Sequence, residues 1–426
     1  MQTLNLIHSI FLGMPSLVLI FAVFLIISIK VRFLGVRRLP TAFKKVFASA
    51  KSRGTLLSSF CLSLSATVGT GNIAGVAGAV TLGGPGAVFW MWISALLAMS
   101  VKFYEVYLSS LYKKKGSAHA YIYAVIKNKL LRNAFLCFGI VAAFGIGNLT
   151  QTNTAAAAAV MAFEGTLPRG AARIFVGLIF AVLVAALLRH ESFAVSFCEK
   201  FLPFMAAAYI LFCITALIIS RADILEIFIK IIKGAFCPRA VTGGAVGSTI
   251  VSIRSGVARG IFSNEAGLST AALAYEKSQS TPEDAALFSA FEVFIDTIVL
   301  CTLTAFVLLS SDAAVYGEDM GAYTTLCAFI NILGRKTAGI FCVIMSFFAF
   351  SSVIGWGVYA RRFSSTLGLS SRVITVVYAA GCVAGAVLKV AAVWQIAEIG
   401  CILMMSLNCT ALLSSKKTPN DFSKNA

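Results

Sequence analysis

The stretch Ser65-Ala-Thr-Val-Gly69-Thr-Gly71-Asn72-Ile-Ala-Gly75 interrupts a long apolar run with glycines, threonines and an asparagine. The whole run, from residue 56 to 82, is longer than the roughly 20 residues that a transmembrane helix needs. Its glycines follow no predicted strand and lack the spacing of a dinucleotide-binding loop. Close packing between membrane helices also uses small residues. The polar groups at mid-run nevertheless favour a helix that breaks inside the membrane.

A break at this depth has a chemical consequence. Backbone groups freed within a bilayer must line a cavity or be buried in protein, because lipid cannot hydrogen-bond to them. The carbonyl groups at such a break suit a cation, and the N–H groups that begin the next half-helix suit a carboxylate. The motif therefore predicts a site that binds a cation and the carboxylate of a substrate.

A second interruption lies in a later apolar run. Arg259-Gly-Ile-Phe-Ser263-Asn264-Glu265-Ala-Gly267-Leu268 places four polar side chains and two glycines within the run from 244 to 275. The two interrupted runs are the second and the seventh of the chain, five apart. Two five-helix repeats that follow one extra helix would put a broken helix at the start of each repeat.

Composition excludes a soluble fold. Hydrophobic residues make up 59% of the 426 residues and charged residues 12%, against about 25% charged residues in typical soluble domains. A soluble enzyme, a disordered chain and a secreted disulfide scaffold are thereby excluded, and the fold class is an all-α polytopic membrane protein. About eleven transmembrane helices are predicted, at 9–29, 56–82, 86–111, 134–163, 172–188, 198–220, 244–275, 285–311, 337–360, 371–388 and 391–413.

These spans divide the chain into five segments. They are an N-terminal helix with a basic cytoplasmic loop (1–55), a first five-helix repeat (56–220), an outer segment (221–243), a second repeat (244–413) and a cytoplasmic tail (414–426). The first apolar run has no basic leader and no small-residue cleavage site, which indicates a retained helix. The outer segment carries isoleucines at helical spacing, which predicts an amphipathic helix. This helix could lie passively on the membrane surface or act as an external gate.

The distribution of the net charge of +18 indicates a membrane protein rather than a nucleic-acid-binding protein. Its Lys and Arg residues cluster between apolar runs, within 30–53, 113–115 and 127–132, as the positive-inside rule predicts. The N-terminus is therefore expected outside and the C-terminus in the cytoplasm of a cell-membrane protein. The lipid bilayer is the expected partner, with no nucleic acid and no obligate protein partner. Cys237 and Cys327 fall in predicted outer loops and could pair, whereas most other cysteines suit buried apolar positions.

Several further polar residues lie inside predicted spans, where charge is costly. Lys102 and Glu105 are three residues apart near a cytoplasmic end, which favours a structural salt bridge. For Asp296, ion binding and pairing with Arg259 both remain open. The adjacent Ser351 and Ser352 suit a sodium shell, or hydrogen bonds back to their own helix.

Motifs of other function classes are missing from the sequence. It has no P-loop for ATP-driven pumping and no His-Glu-x-x-His for a metalloprotease, and its three histidines are scattered. An intramembrane enzyme would need a nucleophile–base pair or a metal cluster, and no such cluster is visible. We therefore expect no enzyme. A channel is a second rival, but it would not accumulate a solute against a gradient.

The motifs taken together resemble the alanine/glycine:cation symporter family. The resemblance rests on Gly69-Thr-Gly-Asn-Ile-Ala-Gly75, Leu82-Gly-Gly-Pro-Gly86, Gly145-Ile-Gly-Asn148 with Gln151-Thr-Asn153, Gly256-Val-Ala-Arg-Gly260 with Phe262-Ser-Asn-Glu-Ala-Gly267, Phe294-Ile-Asp-Thr297 and Phe348-Ala-Phe-Ser351 with Gly355-Trp356. It implies a leucine-transporter-type fold with a ten-helix core of two inverted repeats. Departures after the third span and at Ser269-Thr-Ala-Ala272 leave the substrate less defined than the transport class.

The resemblance also implies roles for individual residues. Substrate binding is expected at Thr70, Gly71, Asn72, Gly75, Gln151, Ser263, Asn264 and Gly267. One Na⁺ is expected at carbonyl groups near Ser65 and Val68 with the hydroxyls of Ser351 and Ser352. A second ion is expected at Asn72, Ser263 and Asp296 or Thr297. Oxygen ligands of low charge suit a hard monovalent cation.

The sequence thus predicts a sodium-coupled symporter that imports a small neutral amino acid, alanine or glycine, by alternating access. The alternatives are a proton-coupled transporter or one with an altered substrate in the same fold. Uptake of labelled amino acids under different ion gradients would separate them.

Overall fold

The computed structural model describes residues 13–52, 54–112, 118–162, 168–236, 245–311, 321–388, 390–417 and 419. These residues form helices and their connections, and none of them lies in a strand. Sixteen helices carry labels here. They are α1 (Met14–Lys30), α2 (Leu39–Ser52), α3 (Thr55–Thr67), α4 (Ala74–Gly83), α5 (Gly86–Tyr112), α6 (Lys129–Ala162), α7 (Arg169–Leu187), α8 (Glu191–Ile219), α9 (Ile224–Phe236), α10 (Ala245–Asn264), α11 (Thr270–Ala274), α12 (Pro282–Ser310), α13 (Ala322–Leu333), α14 (Thr337–Thr366), α15 (Ser371–Val387) and α16 (Val390–Ser414).

Short elements connect or interrupt these helices. Single turns of helix cover Leu34–Arg37 and Ala120–Val125, and 3₁₀ turns cover Thr70–Asn72 and Tyr275–Lys277. Two π-helical segments, Gly145–Leu149 in α6 and Phe294–Cys301 in α12, carry polar motifs that the sequence singled out. Such π segments inside α-helices often occur at functional sites.

The helices agree with the predicted membrane architecture. Within the described residues, six helices are long and apolar enough to cross a membrane, and the pair α3 and α4 passes the same test as one span bent by 58°. A helix or an interrupted pair of helices lies at each of the eleven predicted spans. The number of crossings, the two inverted repeats and the orientation of the termini stay predictions.

Close helix packing depends on small residues, as expected for a membrane protein. A Cβ atom on Gly256 would lie 2.2 Å from the Ala87 carbonyl oxygen, and one on Gly355 would lie 2.8 Å from the Ala66 backbone. These two glycines bring α10 against α5 and α14 against α3. Both broken helices are therefore held tightly by unbroken neighbours.

The outer segment forms α9, and its apolar face contacts protein. Ile227 and Ile231 are buried, and the ring of Phe228 stacks on Trp92 of α5 at 5.7 Å. This face is covered by the helical core rather than left entirely to lipid. Cys237, one half of the disulfide that the sequence allowed, lies outside the described residues.

Candidate functional site: two broken helices around a central cavity

The first break follows Thr67, as the sequence predicted. Val68 and Gly69 have extended backbone, and a 3₁₀ turn leads into α4. The freed N–H groups find side-chain acceptors: Gly69 donates to Asn72 Oδ1 (3.0 Å) and Thr70 donates to Gln151 Oε1 (2.9 Å). Gln151 also donates to the Ile146 carbonyl at 3.0 Å. The π segment of α6 therefore supports a side chain that stabilises the break.

The second break separates α10 from α11 and also agrees with the sequence. Three of its residues have positive φ, namely Glu265 (55°), Gly267 (88°) and Ser269 (62°). Two of them carry side chains, for which this backbone region is uncommon. Strained backbone of this kind persists only where the surroundings hold it, and it clusters at functional sites.

A polar cluster joins the two breaks through α12. Asp296 is fully buried and accepts hydrogen bonds from Asn72 Nδ2 at Oδ1 (2.6 Å), and from Ser263 Oγ and Thr297 Oγ1 at Oδ2 (both 2.9 Å). Asn72 accepts from the Gly69 N–H through its own oxygen, so its amide orientation is fixed from both sides. The four residues predicted around a second ion thus lie together, with Asn72 acting as a donor to the carboxylate.

The charged neighbours of this cluster are paired elsewhere. The Arg259 guanidinium lies 3.5 Å from the Glu398 carboxylate on α16, so of the two alternatives for Asp296 the pairing with Arg259 is not the one found. Lys102 does not form the predicted ion pair with Glu105. It contacts Glu292 Oε2 at 2.9 Å instead, because the long lysine side chain reaches across to α12.

The side-chain hydroxyls of the two adjacent serines in α14 donate hydrogen bonds to different helices. Ser352 Oγ donates to the Ala66 carbonyl at the end of α3, at 2.8 Å, whereas Ser351 Oγ donates to Phe348 of its own helix, at 3.1 Å. Ser65 and Val68 are both fully buried on the facing segment. Ser352 therefore lies against the first break, and Ser351 follows the back-bonded alternative.

A small central cavity lies between the two breaks, with a volume of about 20 Å³. Its walls come from both broken helices and from α6. The lining residues are Ala66, Thr67, Gly71, Gly75, Ile146, Gln151, Arg259, Phe262, Ser263 and Glu265. Gly71 faces open space, since no atom lies within 4 Å of the position that a Cβ would take.

Four of the eight predicted substrate residues line this cavity, namely Gly71, Gly75, Gln151 and Ser263. The other four do not line it. Thr70 and Asn72 belong to the hydrogen-bonded first break, and the Asn264 carbonyl accepts from Lys102 Nζ at 3.2 Å. Gly267 packs against Phe24 of α1 and Met405 of α16.

The sequence prediction of substrate residues left out both charged residues of the cavity wall, Arg259 and Glu265. The Glu265 carboxylate is buried and accepts from Trp356 Nε1 (2.6 Å) and Thr270 Oγ1 (3.1 Å). Its place in the interrupting motif was the available signal, because an acid within an apolar run is costly unless it has a role. Two hydrogen bonds leave a carboxylate with acceptor capacity for a further donor.

Comparison with known proteins agrees with this geometry. The model of the family described as "Sodium:alanine symporter family" matches residues 1–423. The chain belongs to the sodium:alanine symporter family. It is therefore a multi-pass membrane protein that transports amino acids by cation-coupled symport. It is not an enzyme, as the sequence predicted.

Individual relatives cover nearly the whole chain. An uncharacterized transporter of Haemophilus influenzae is 36% identical, over 97% of this chain and 93% of its own length. The sodium/alanine symporter AgcS of Methanococcus maripaludis is 32% identical, over 99% and 97%. The probable sodium/glutamine symporter GlnT of Bacillus subtilis is 33% identical, over 92% and 83%.

A solved structure shares the fold of this family member. The manganese transporter of Eremococcus coleocola superposes with a TM-score of 0.56, over 84% of this chain and 76% of the transporter, at 16% sequence identity. At that identity the likeness concerns the arrangement of helices alone. It agrees with the all-helical transporter fold expected from the sequence.

Proposed function

We propose that this chain is a sodium-coupled symporter that imports a small neutral amino acid, alanine or glycine, and that the cavity between its two breaks binds the substrate. One observation carries the proposal: the cavity touches the beginning of one half-helix at Gly71 and Gly75 and the end of another at Ser263 and Glu265. The two helix ends present opposite partial charges. A zwitterion bound between them would face each helix end with its group of opposite charge.

The two charged groups of the substrate would bind at opposite walls. Its carboxylate would accept hydrogen bonds from the first-turn N–H groups of α4, which have no partner within their own helix. Its ammonium group would donate to the Glu265 carboxylate and to carbonyl groups at the end of α10. With glycines at two wall positions, the cavity favours a small side chain.

Sodium fits the oxygen-rich surroundings of the first break. The Ala66 carbonyl and the Ser352 hydroxyl lie 2.8 Å apart there, and hard cations prefer such oxygen ligands. Asp296 with the hydroxyls of Ser263 and Thr297 offers a second group of oxygens. A cation that binds better when the breaks have one arrangement would favour that arrangement, and the substrate would then bind it better.

Counterflow in proteoliposomes tests the proposal. Vesicles loaded with unlabelled alanine should take up labelled alanine transiently above equilibrium, because an alternating-access carrier exchanges solutes across the membrane. A channel or an enzyme would give no such overshoot. External glycine should compete with the label, whereas leucine and phenylalanine should not. If glutamine competes and glycine does not, the small-substrate proposal is wrong.

A further inference from the structure

Lys102 carries a buried positive charge at the point where the two broken helices approach each other. Its side chain is fully buried, and its Nζ atom lies 3.3 Å from Thr67 Oγ1 and 3.2 Å from the Asn264 carbonyl. Thr67 is the last residue of α3 and Asn264 the last of α10. One ammonium group therefore contacts the ends of both half-helices, where each break begins.

The anionic partner of Lys102 extends these contacts. Glu292 of α12, also fully buried, lies 2.9 Å from Lys102 Nζ through Oε2. It accepts from Ser63 Oγ of α3 and from the Tyr275 hydroxyl, which follows α11, both at 2.6 Å. The ion pair thus contacts the first broken helix twice and the second on both sides of its break.

Both ends of this connection lie next to the proposed binding positions. Thr67 lines the cavity and adjoins Ala66, whose carbonyl accepts from Ser352. Asn264 adjoins Glu265, which also lines the cavity. A displacement of the Thr67 end that accompanies cation binding would therefore reach the Glu265 end through one ammonium group.

A buried ion pair is a weak source of stability, because desolvating the two charges offsets most of their attraction. Lys30, which is only half-buried, lies at another helix end. Its Nζ donates to the Leu412 (2.8 Å), Leu413 (3.0 Å) and Ser415 (2.6 Å) carbonyls at the end of α16, away from both breaks. Lys102 differs because it joins two interrupted helices.

We propose that Lys102, held by Glu292, is the positioning residue that couples the two breaks, so that sodium bound at the first raises the affinity of the cavity for substrate. This inference rests on the proposed function. It assigns to the ion pair the transmission of the coupling free energy between two sites, which is a role distinct from binding either ligand.

The coupling factor is the direct readout. Equilibrium binding of labelled alanine to purified protein, in sodium and in choline, gives two dissociation constants whose ratio is that factor. In the wild type we expect a ratio of about 10 or more. The double substitution Lys102→Met with Glu292→Met removes both charges of the ion pair together. Its ratio should fall towards one, while Lys30→Met should keep the wild-type ratio.

Thr67 provides a milder pair of variants. Thr67→Val removes the hydroxyl that contacts Lys102 and keeps the shape of the side chain, so the ratio should fall part of the way. Thr67→Ser keeps the hydroxyl, so its ratio should equal the wild-type ratio whatever the lost methyl group does to the two dissociation constants. This pair decides the question if the double variant does not fold.

The outcomes separate this inference from the proposed function. A folded double variant with the wild-type ratio would overturn the inference and leave the transporter unaffected. The same holds if Thr67→Val equals Thr67→Ser in an experiment where only that pair can be purified. If the wild type binds no alanine, or binds it equally well in choline, the proposed function is wrong and the coupling role falls with it.

Discussion

The central cavity has space because two of its wall residues are glycines, Gly71 in the turn before α4 and Gly75 in α4. No atom lies within 4 Å of a Cβ built on Gly71, and a Cβ on Gly75 would meet only the Arg259 side chain at 4.0 Å. Neither residue has positive φ. An alanine would therefore be tolerated by the backbone at both positions, and its methyl group would occupy volume that the substrate needs.

We expect Gly71→Ala to weaken alanine binding by about tenfold or more and glycine binding by less, as one added methyl group in a tight pocket does. Competition binding with both amino acids measures the two changes. Gly170→Ala is the matched control, because it also adds a methyl group in open space but outside the cavity. Equal losses for alanine and glycine would argue against Gly71 as a wall of the substrate site.

A second residue-scale prediction concerns His119, in the connection between α5 and α6. Its ring is buried, stacks on Phe363 at 5.5 Å and lies 3.3 Å from the Ser269 carbonyl through Nε2. Burial lowers the pKa of His119 to about 4, although the Ser269 carbonyl acts in the opposite direction. Because the unfolded histidine titrates near 6.5, the unfolded chain binds a proton below that pH that the folded chain excludes.

Acidification should therefore destabilise the protein through this residue. The contribution is fully present above pH 6.5 and is lost as the pH falls to about 4, by on the order of 3 kcal/mol. Thermal unfolding in detergent should show a smaller loss of stability between these pH values in His119→Gln than in the wild type. The exposed His190 supplies the control, since His190→Gln should follow the wild type. If both variants lose stability as the wild type does, His119 is not the acid-sensitive group.

At the scale of elements, the two adjacent serines of α14 contact different partners and should therefore differ in their effect on sodium binding. Ser352 contacts the carbonyl end of α3, whereas Ser351 is bonded to its own helix and lies 3.5 Å from Met205 Sδ. If sodium binds at the first break, Ser352→Ala should raise the sodium concentration for half-maximal uptake several-fold, as the loss of one hydrogen-bonding oxygen does. Ser351→Ala should change it less. Sodium titrations of initial uptake rates measure both, and the reverse order would place the ion elsewhere.

The broken helices could be predicted from the sequence because their signal is local. Glycines and polar side chains within an apolar run disfavour continuous helix at that point, whatever the rest of the chain does. The contacts that hold the breaks are not local. Lys102 was expected to pair with Glu105 one turn away, but its partner Glu292 belongs to α12, and a helical spacing rule cannot find such a pair.

The same reasoning explains why only part of the site was predicted. Gly267 shares the second motif with Ser263, but its positive φ turns the chain towards Phe24 and Met405. Glu265, two residues earlier, lines the cavity instead. Which residues of an interrupted segment face inwards depends on its backbone angles, and composition does not give them.

At the scale of the whole molecule, the extra helix α1 is part of the packed core. Phe24 is buried beside the second break, and Ser28 donates to the Leu97 carbonyl of α5 at 3.3 Å. Lys30 reaches the end of α16. The helix that precedes the predicted repeats therefore supports α5, which carries Lys102, and contacts the last helix.

In the proposed mechanism, a cation gradient drives an amino acid through the cavity between the two broken helices. The most direct test is the steady-state accumulation of labelled alanine in proteoliposomes under an inward sodium gradient, compared with an inward proton gradient in the absence of sodium. Sodium-coupled symport predicts accumulation above the external concentration with the sodium gradient alone, and dissipation of that gradient should release the label. Accumulation with the proton gradient alone, or equilibration without accumulation under either gradient, would contradict it.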